Sequence, residues 1–179
     1  DKMDDLRDRL LGYEGYGASI YFKCLNGVFP LEKREPQGQD IYNMALNYGY
    51  GILYSEVERS CILSGLDPYL GFLHMDRYGK PSMVLDMVEQ FRAVIDRAII
   101  TLFVQKRLND EDIEIIGEGK LLKKEARTKI IEEVMKMLDW KTEYKGKNLA
   151  MSSIILEQGR EIVRFLLGHS IEMELFIWK

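Results

Sequence analysis

The chain has 179 residues, of which 46% are hydrophobic and 30% charged, and its formal net charge is −4. This composition fits one globular domain with a substantial core. It contains no run of eighteen uncharged apolar residues, and charged and apolar side chains alternate in its first twenty, so neither a membrane span nor a secretory signal is predicted. The negative net charge argues against whole-surface attraction to phosphate, so any contact with nucleic acid must come from local basic patches.

The two cysteines, Cys24 and Cys61, lie in apolar surroundings, far from any second Cys or His at metal-ligand spacing. We expect both to be reduced core thiols, which is typical of a cytoplasmic protein. The chain opens at Asp1 directly into a helical pattern without an initiator Met, so we expect a fragment of a longer protein.

Two helices are predicted in the first third of the chain. Apolar side chains recur at helical spacing over residues 3–24, and Asn26-Gly27 is a typical helix end. A loop over residues 26–39 follows, with two Pro and two Gly. Asp40 then caps a helix that continues to about Ser64; it is apolar on nearly every side and is therefore predicted to be buried.

Three more long helices are predicted in the remainder. A connector rich in Gly and Pro precedes a helix that is capped by Ser82 and runs to about Leu108. After the Gly-punctuated segment IIGEGK, two amphipathic helices cover residues 121–138 and 148–167. Residues 171–179 are predicted to form a short extended tail.

The predicted fold is therefore all-α, with about six or more helices if a single turn near residues 68–73 is included. One core is expected, so residues 1–179 are predicted to be a single helical domain.

Two carboxylates interrupt the apolar surface of the helix that begins at Ser82. Asp86 and Glu89 are three residues apart and therefore share one face. A buried ionised carboxylate costs several kcal/mol unless a cation or hydrogen-bond donors compensate. A metal ion would compensate, and so would an internal ion pair with a nearby arginine; spacing alone leaves both open. The available arginines are Arg77, Arg92 and Arg97.

His74 lies just ahead of these carboxylates, in the connector GFLHMDRYGKPS. A rigid turn of this kind can aim a side chain into a cleft, although a lone histidine is more often structural, which is our interpretation of His169. Side chains near His74 would supply cations and hydroxyls for phosphate contacts. They are Arg77, Lys80 and Ser82, with Asp76 beside them.

Glu14 stands between glycines and aromatic residues in GYEGY, and a surface glutamate is the alternative interpretation of it. Together, one histidine and two carboxylates suit Mn²⁺ or Mg²⁺ better than zinc, which favours thiolates. The remaining basic residues of the loops, Arg34 among them, are expected on a solvated surface.

The segment ALNYGYGILYSEVERS, followed by GLDPYLGFLHMDRYGKPSMVLDMVEQFR, resembles the CRISPR adaptation integrases, nucleases that insert spacers into CRISPR arrays. Upstream, LRDRLLGYEGYGASIYF is similar to that family's Glu-Gly helix. Downstream, YKGKNLAMSSIILEQGREIVRFLLG is similar to its final helical segment. The resemblance spans nearly the whole chain.

The resemblance implies a role for individual residues. It matches Glu14, His74 and Glu89 with the metal ligands, for Mn²⁺ or Mg²⁺. It implies catalytic roles for Asp86, as a nearby active-site acid, and for Tyr54, as a tyrosine near the scissile phosphate. It makes Arg77, Lys80 and Arg92 candidate contacts to the DNA backbone.

The resemblance also implies a function and partners. The expected activity is that of a metal-dependent DNA endonuclease and integrase, joining spacer DNA by attack of a 3′-hydroxyl on a phosphodiester. Family members carry an amino-terminal β-rich domain, which is not expected within residues 1–179, form homodimers and assemble with a small ferredoxin-like protein. Two alternatives stay open: a transposon-encoded integrase of the same fold, and a non-catalytic helical scaffold.

Overall fold

A computed structural model describes residues 2–25, 29, 31, 34–74, 79–117 and 119–178; of residues 2–4 it describes the backbone alone. Helices dominate this part of the chain, which confirms the all-α prediction. The described α-helices are α1 (Lys2–Leu25), α2 (Ile41–Ser64), α3 (Ser82–Val88), α4 (Arg92–Val104), α5 (Lys124–Leu138) and α6 (Met151–Leu166). The described strands are β1 (Ile113–Ile116), β2 (Gly119–Leu122), β3 (Lys141–Tyr144) and β4 (Lys147–Ala150).

The helix α2 is the centre of the core and packs against α3, α4, α5 and α6. Its start is set by Asp40, whose carboxylate accepts a hydrogen bond from the backbone N–H of Asn43 at 2.8 Å. Its end is set by Gly65, which adopts a left-handed conformation with φ 84°. Both ends agree with the sequence prediction. None of the helices in the described ranges is long and apolar enough to cross a bilayer.

The helix predicted from Ser82 to Leu108 is not continuous. A 3-10 turn over Glu89–Phe91 separates α3 from α4, and Phe91 has a ψ of −3°. The second half ends at Val104, because Lys106 turns the chain with φ 55° and Arg107 N–H then bonds back to the carbonyl of Leu102. The 3-10 turn between α3 and α4 begins at Glu89, which is a predicted metal ligand.

Two β-hairpins replace the first turns of the last two predicted helices. The strand pairs β1–β2 and β3–β4 are antiparallel, so α5 begins at Lys124 and α6 begins at Met151. In the second hairpin Lys145 and Gly146 have φ values of 51° and 71°, the paired positive values of a tight two-residue turn.

Residues 171–178 form neither helix nor strand; Phe176 is buried and Trp178 packs against the core, whereas the other side chains of this segment are exposed. The amide of Gln158 donates to the carbonyl of Glu174 at 3.1 Å and accepts from the N–H of Phe176 at 3.2 Å. The buried ring of Phe176 stacks on Phe91, with centroids 5.9 Å apart. The tail therefore packs against the 3-10 turn through the contact of Phe176 with Phe91.

The helix α1 is the least embedded of the described helices. Its side chains that pack against the core are Phe22 and Leu25, in its last two turns, whereas Tyr13 and Tyr16 are exposed. Cys24 is also exposed, so its prediction as a core thiol is wrong; only the prediction for Cys61, which is buried, is confirmed. The apolar spacing that predicted α1 does mark a helix, but most of that face is not covered by described parts of this chain.

Candidate active site

Gly71 allows the connector before α3 to lie directly on that helix. A Cβ atom at this position would stand 2.7 Å from the backbone carbon of Ser82 and 2.9 Å from a carboxylate oxygen of Asp86. Distances this short are not tolerated against backbone atoms, so the close approach requires glycine. Residues 71–74 are thereby brought around the carboxylate of Asp86.

The carboxylate of Asp86 organises the turn that carries His74. It accepts hydrogen bonds from the backbone N–H groups of Phe72, Leu73 and His74, the last two at 2.9 and 3.0 Å. In addition, Nδ1 of the His74 imidazole lies 2.6 Å from Oδ1 of Asp86. Both the backbone and the ring orientation of His74 are therefore fixed by one acidic side chain on α3.

This contact determines which imidazole nitrogen of His74 is available to a ligand. Beside a carboxylate acceptor, the proton of a neutral imidazole resides on Nδ1. The lone pair is then on Nε2, which points away from Asp86. A histidine oriented by a carboxylate in this way is the usual arrangement of a metal-binding imidazole.

Glu89 lies one turn after Asp86, in the 3-10 segment. Burial raises the pKa of its carboxyl group, the charge of Arg92 opposes this rise, and the negative charge of Glu14 adds to it. His74 and Asp86 also act on this pKa, with smaller effects in opposite directions. The predicted ligands Glu14, His74 and Glu89 thus lie close enough to influence one another electrostatically.

One oxygen of Glu89 has an unusual environment. Its Oε1 is buried and has no hydrogen-bond donor among the residues that the structure describes. Nη2 of Arg92 is 2.7 Å from it, a distance typical of an ion pair, but its N–H is not directed at the oxygen. Arg92 thus compensates the charge of this oxygen but gives it no hydrogen bond, and a metal cation could take the place of the guanidinium.

Glu14 and Glu89 line the two sides of one cleft of about 670 Å³ between α1 and the turn before α4. Across the described ranges, however, no three His, Cys, Asp or Glu side chains converge tightly enough to hold a metal ion. The donor set itself, one imidazole nitrogen with two carboxylates, fits Mn²⁺ or Mg²⁺. Glu14 and Glu89 therefore share one cleft, whose lining does not include His74, and in the described ranges the three candidate ligands do not form a closed cage.

Residues 2–136 match the family model described as CRISPR associated protein Cas1. The chain belongs to the Cas1 family. Among curated relatives, the CRISPR-associated endonuclease Cas1 1 of Archaeoglobus fulgidus is 39% identical over 94% of this chain and 52% of its own length. The CRISPR-associated endonuclease Cas1 3 of Thermus thermophilus is 35% identical over 94% of this chain and 53% of its own length. The chain thus spans about half the length of these relatives.

Solved structures share the fold. A casposase bound to an integration product is similar with a TM-score of 0.87 and 28% identity, over 94% of this chain and 52% of its own. A Cas1 protein from Thermotoga maritima is similar with a TM-score of 0.81 and 25% identity, over 97% of this chain and 55% of its own. Each similarity covers more than nine-tenths of this chain.

In this Cas1-family chain, Tyr54 and Arg92 lie beside Glu89. Nη2 of Arg92 donates to the hydroxyl of Tyr54 at 3.4 Å, and its guanidinium lies over the ring of Tyr50, 5.3 Å from the centroid. Arg92 therefore forms the ion pair with Glu89 that was the alternative to a metal ion in the sequence analysis. It is also one of the cations that line the cleft.

Of the other two predicted DNA contacts, Lys80 lies within the described residues and Arg77 lies outside them. Lys80 is half-buried immediately before α3, where its carbonyl accepts from the N–H of Ser82 at 2.9 Å. Arg77 lies outside the described residues, as does Asp76. The DNA-contact role of both basic residues stays a prediction.

The sequence analysis missed a third acidic group at the cleft, Asp96. It is 3% exposed and accepts a hydrogen bond from the hydroxyl of Tyr50, and Tyr21 of α1 lines the same cleft. Arg34, expected on the surface, is half-buried and lies over the Tyr50 ring at 5.3 Å. The sequence signal that could have identified Asp96 is a lone carboxylate on an otherwise apolar helix, seven residues after Glu89.

Proposed function

We propose that this chain is the helical catalytic domain of a metal-dependent DNA integrase and endonuclease that joins spacer DNA into a CRISPR array. The observation that carries the proposal is that His74, oriented by Asp86, acts electrostatically on Glu89, whose buried Oε1 accepts no hydrogen bond. A divalent cation is the group that both side chains would bind. In relatives at 39% and 35% identity, the names record CRISPR-associated endonucleases.

In this proposal Nε2 of His74 and the carboxylates of Glu14 and Glu89 hold Mn²⁺ or Mg²⁺. When bound, the cation would lower the pKa of an attacking hydroxyl and neutralise charge on the phosphodiester. Asp86 keeps the proton of His74 on Nδ1 and so keeps Nε2 available for coordination. Binding also requires Arg92 to release Oε1 of Glu89, after which its guanidinium is free to pair with a phosphate of the DNA.

The partners in the proposal follow from the family. They are DNA, a second copy of the full-length protein and a small ferredoxin-like adaptation protein, acting in the cytoplasm where the array is found. A Cas6-RT-Cas1–Cas2 complex contains a chain with this fold, at a TM-score of 0.79 and 20% identity, which supports the fold alone. Lys80 and Arg77 are proposed as further contacts to the DNA backbone.

The test is a strand-transfer assay on the full-length protein with its small partner, with Mn²⁺ binding measured by calorimetry on the same samples. Glu89→Gln should abolish joining and weaken Mn²⁺ binding because the carboxylate charge is lost. Glu143→Gln, at an exposed strand position, is the matched control and should leave both unchanged. Equal joining by wild type and Glu89→Gln would refute the assignment.

Two other functions give different results in the same assay. A non-catalytic scaffold predicts no saturable Mn²⁺ binding and no effect of His74→Ala. An integrase that inserts a mobile element is favoured by one observation, the similarity to the casposase bound to an integration product. That alternative predicts joining of element ends in preference to spacer-length DNA, with the same dependence on Glu89.

A further inference from the structure

We propose that Arg34 binds a backbone phosphate of DNA in the cleft, beside Arg92, and that the ring of Tyr50 positions both guanidinium groups. Arg34 is then a DNA-binding residue. Tyr50 is a positioning residue, since it acts through the arginines and not on the DNA itself. The inference rests on the DNA-binding function proposed above and adds to it a contact that the sequence alone places on the solvated surface.

The two arginines come from different elements and meet at one aromatic ring. Arg34 lies in the segment before α2, Arg92 begins α4, and each guanidinium carbon is 5.3 Å from the centroid of the Tyr50 ring. An arginine over an aromatic face gains both cation–π attraction and stacking. The two groups are at most about twice that distance apart, so both can reach one short stretch of DNA backbone. Both also line the cleft that contains Glu14 and Glu89.

Tyr50 is suited to hold both cations because its own position is fixed. The residue is buried on α2, and its hydroxyl donates a hydrogen bond to the buried carboxylate of Asp96. Burial raises the pKa of the Asp96 carboxyl group, whereas the hydrogen bond from Tyr50 and the charges of Arg92 and Arg34 oppose this rise. The carboxylate therefore offsets part of the repulsion between the two arginines.

The contacts of Arg34 orient its guanidinium without neutralising it. Nη1 donates to the side-chain oxygen of Asn43 and to the carbonyl of Glu35, both at 2.8 Å, and Nη2 donates to the side-chain oxygen of Asn47 at 2.5 Å. All three acceptors are neutral, and Arg34 forms no ion pair with a carboxylate in the part of the chain that the structure describes. A guanidinium has five N–H donors, so donors remain for a ligand. An anion with several acceptor oxygens, such as a phosphate, is the partner that this half-buried cation fits.

Metal binding would change the charge balance of the cleft in favour of an anion. Without the metal, Nη2 of Arg92 lies 2.7 Å from Oε1 of Glu89. The Nε of Arg92 is buried and has no hydrogen-bond partner among the described residues. Once Glu89 binds the cation instead, Asp96 remains as the carboxylate beside two arginines. The excess positive charge favours a DNA phosphate at this point of the cleft.

The test measures binding of the full-length protein to a fluorescently labelled branched DNA that mimics the strand-transfer product, by anisotropy in EDTA at several salt concentrations. In Arg34→Gln the affinity should fall about tenfold, and the slope of log affinity against log salt should decrease by about one, as for loss of one phosphate contact. Arg160→Gln removes the same charge from an exposed position of α6 outside the cleft and should leave both unchanged. An unchanged salt slope in Arg34→Gln would overturn the proposal.

Neutral methylphosphonate linkages, placed one at a time in the same DNA, distinguish a phosphate contact from a structural role of Arg34. At the contacted position, a neutral linkage should weaken binding by wild type and have no further effect on Arg34→Gln. If Arg34 only holds the segment before α2 in place, every neutral linkage should weaken Arg34→Gln as much as it weakens wild type. That result would refute the phosphate contact.

Two substitutions of Tyr50 test its positioning role. Tyr50→Leu removes the aromatic face and should lower the salt slope by about one in wild type, with no further effect in an Arg34→Gln background. Tyr50→Phe keeps the ring and should keep the wild-type slope. Additive losses, or a weaker affinity of Tyr50→Leu at an unchanged slope, would show that the ring supports the fold and not Arg34. Arg34→Gln leaves the buried ring in place, so the phosphate contact is tested even where Tyr50→Leu does not fold.

Calorimetry with Mn²⁺ on the same samples separates this proposal from the metal site. Arg34→Gln should not weaken Mn²⁺ binding, whereas Glu89→Gln should. If Glu89→Gln leaves Mn²⁺ binding unchanged but Arg34→Gln lowers the salt slope, the metal site is refuted and the phosphate contact stands. If Glu89→Gln weakens Mn²⁺ binding but Arg34→Gln binds DNA as wild type does, the metal site stands and the phosphate contact is refuted.

Discussion

Asp86 contacts both the imidazole and the backbone of His74. The ring Nδ1 and the backbone nitrogen of His74 lie 2.6 and 3.0 Å from the same oxygen, Oδ1, of Asp86. The two residues are twelve apart in sequence and belong to different elements, a connector and α3. An acid that makes this many hydrogen bonds is less available for proton transfer than a solvated one. Its arrangement favours orienting His74 over acting as a general acid.

Asp86→Asn is expected to weaken Mn²⁺ binding about 10- to 100-fold without unfolding the chain. The amide can accept some of the backbone hydrogen bonds, but its NH₂ group cannot accept from them, and its neutral oxygen holds Nδ1–H of His74 less strongly. Calorimetry with Mn²⁺ measures the change, and Asp139→Asn, at an exposed position, is the control. Wild-type affinity in Asp86→Asn would show that the orientation of His74 does not depend on the carboxylate.

Tyr54→Phe tests the role that the family resemblance implies for this residue. Its hydroxyl accepts from Arg92, which lines the cleft, and Tyr54 is not one of the proposed ligands. We therefore expect strand transfer to slow about tenfold, as for loss of one hydrogen bond to the reacting phosphate, with Mn²⁺ affinity unchanged. Tyr48→Phe, at a half-buried position of the same helix, is the control. A loss of Mn²⁺ affinity in Tyr54→Phe would instead place the hydroxyl at the metal site.

The sequence predicted those helices whose ends carry local signals. Asp40 and Gly65 define α2 because capping and left-handed turns depend on single residue types. The interruption at Glu89–Phe91 has no such signal, because neither Gly nor Pro is present and the turn coincides with packing of Phe91 on a tail 85 residues later, at Phe176. Short strands such as β2 are similarly hard to separate from the helix that follows them.

For the candidate site, the family resemblance predicted which residues take part, and the structure shows which side chains contact them. The hydrogen bond from Tyr50 to Asp96 joins residues 46 apart in sequence, so no periodicity or motif points to it. The ion pair of Arg92 with Glu89 was one of two open interpretations of the same carboxylate. Residue spacing could not distinguish the two interpretations, because a metal ion and an arginine both compensate the charge of a buried carboxylate.

The pair formed by Lys145 and Glu161 predicts a pH dependence of stability away from the active site. Nζ of Lys145, in the turn of the second hairpin, lies 2.8 Å from Oε1 of Glu161 on α6. The hydrogen bond from Lys145 lowers the pKa of Glu161, burial opposes this, and Arg164 adds to the lowering. The pair thus attaches the β3–β4 hairpin to the helix that supports the tail.

Because the folded-state pKa of Glu161 lies below its ordinary value of 4.5, the folded state favours the ionised form. Its contribution to the free energy of unfolding is present above about pH 4.5 and is lost as the pH falls through the folded-state pKa. Glu161→Gln should therefore be less stable than wild type at pH 7, and the difference should shrink below pH 4.5. Urea unfolding at several pH values measures this, with Glu132→Gln, at an exposed position of α5, as the control. A difference that stays constant down to pH 3 would mean that packing of the side chain, and not its charge, supports the hairpin.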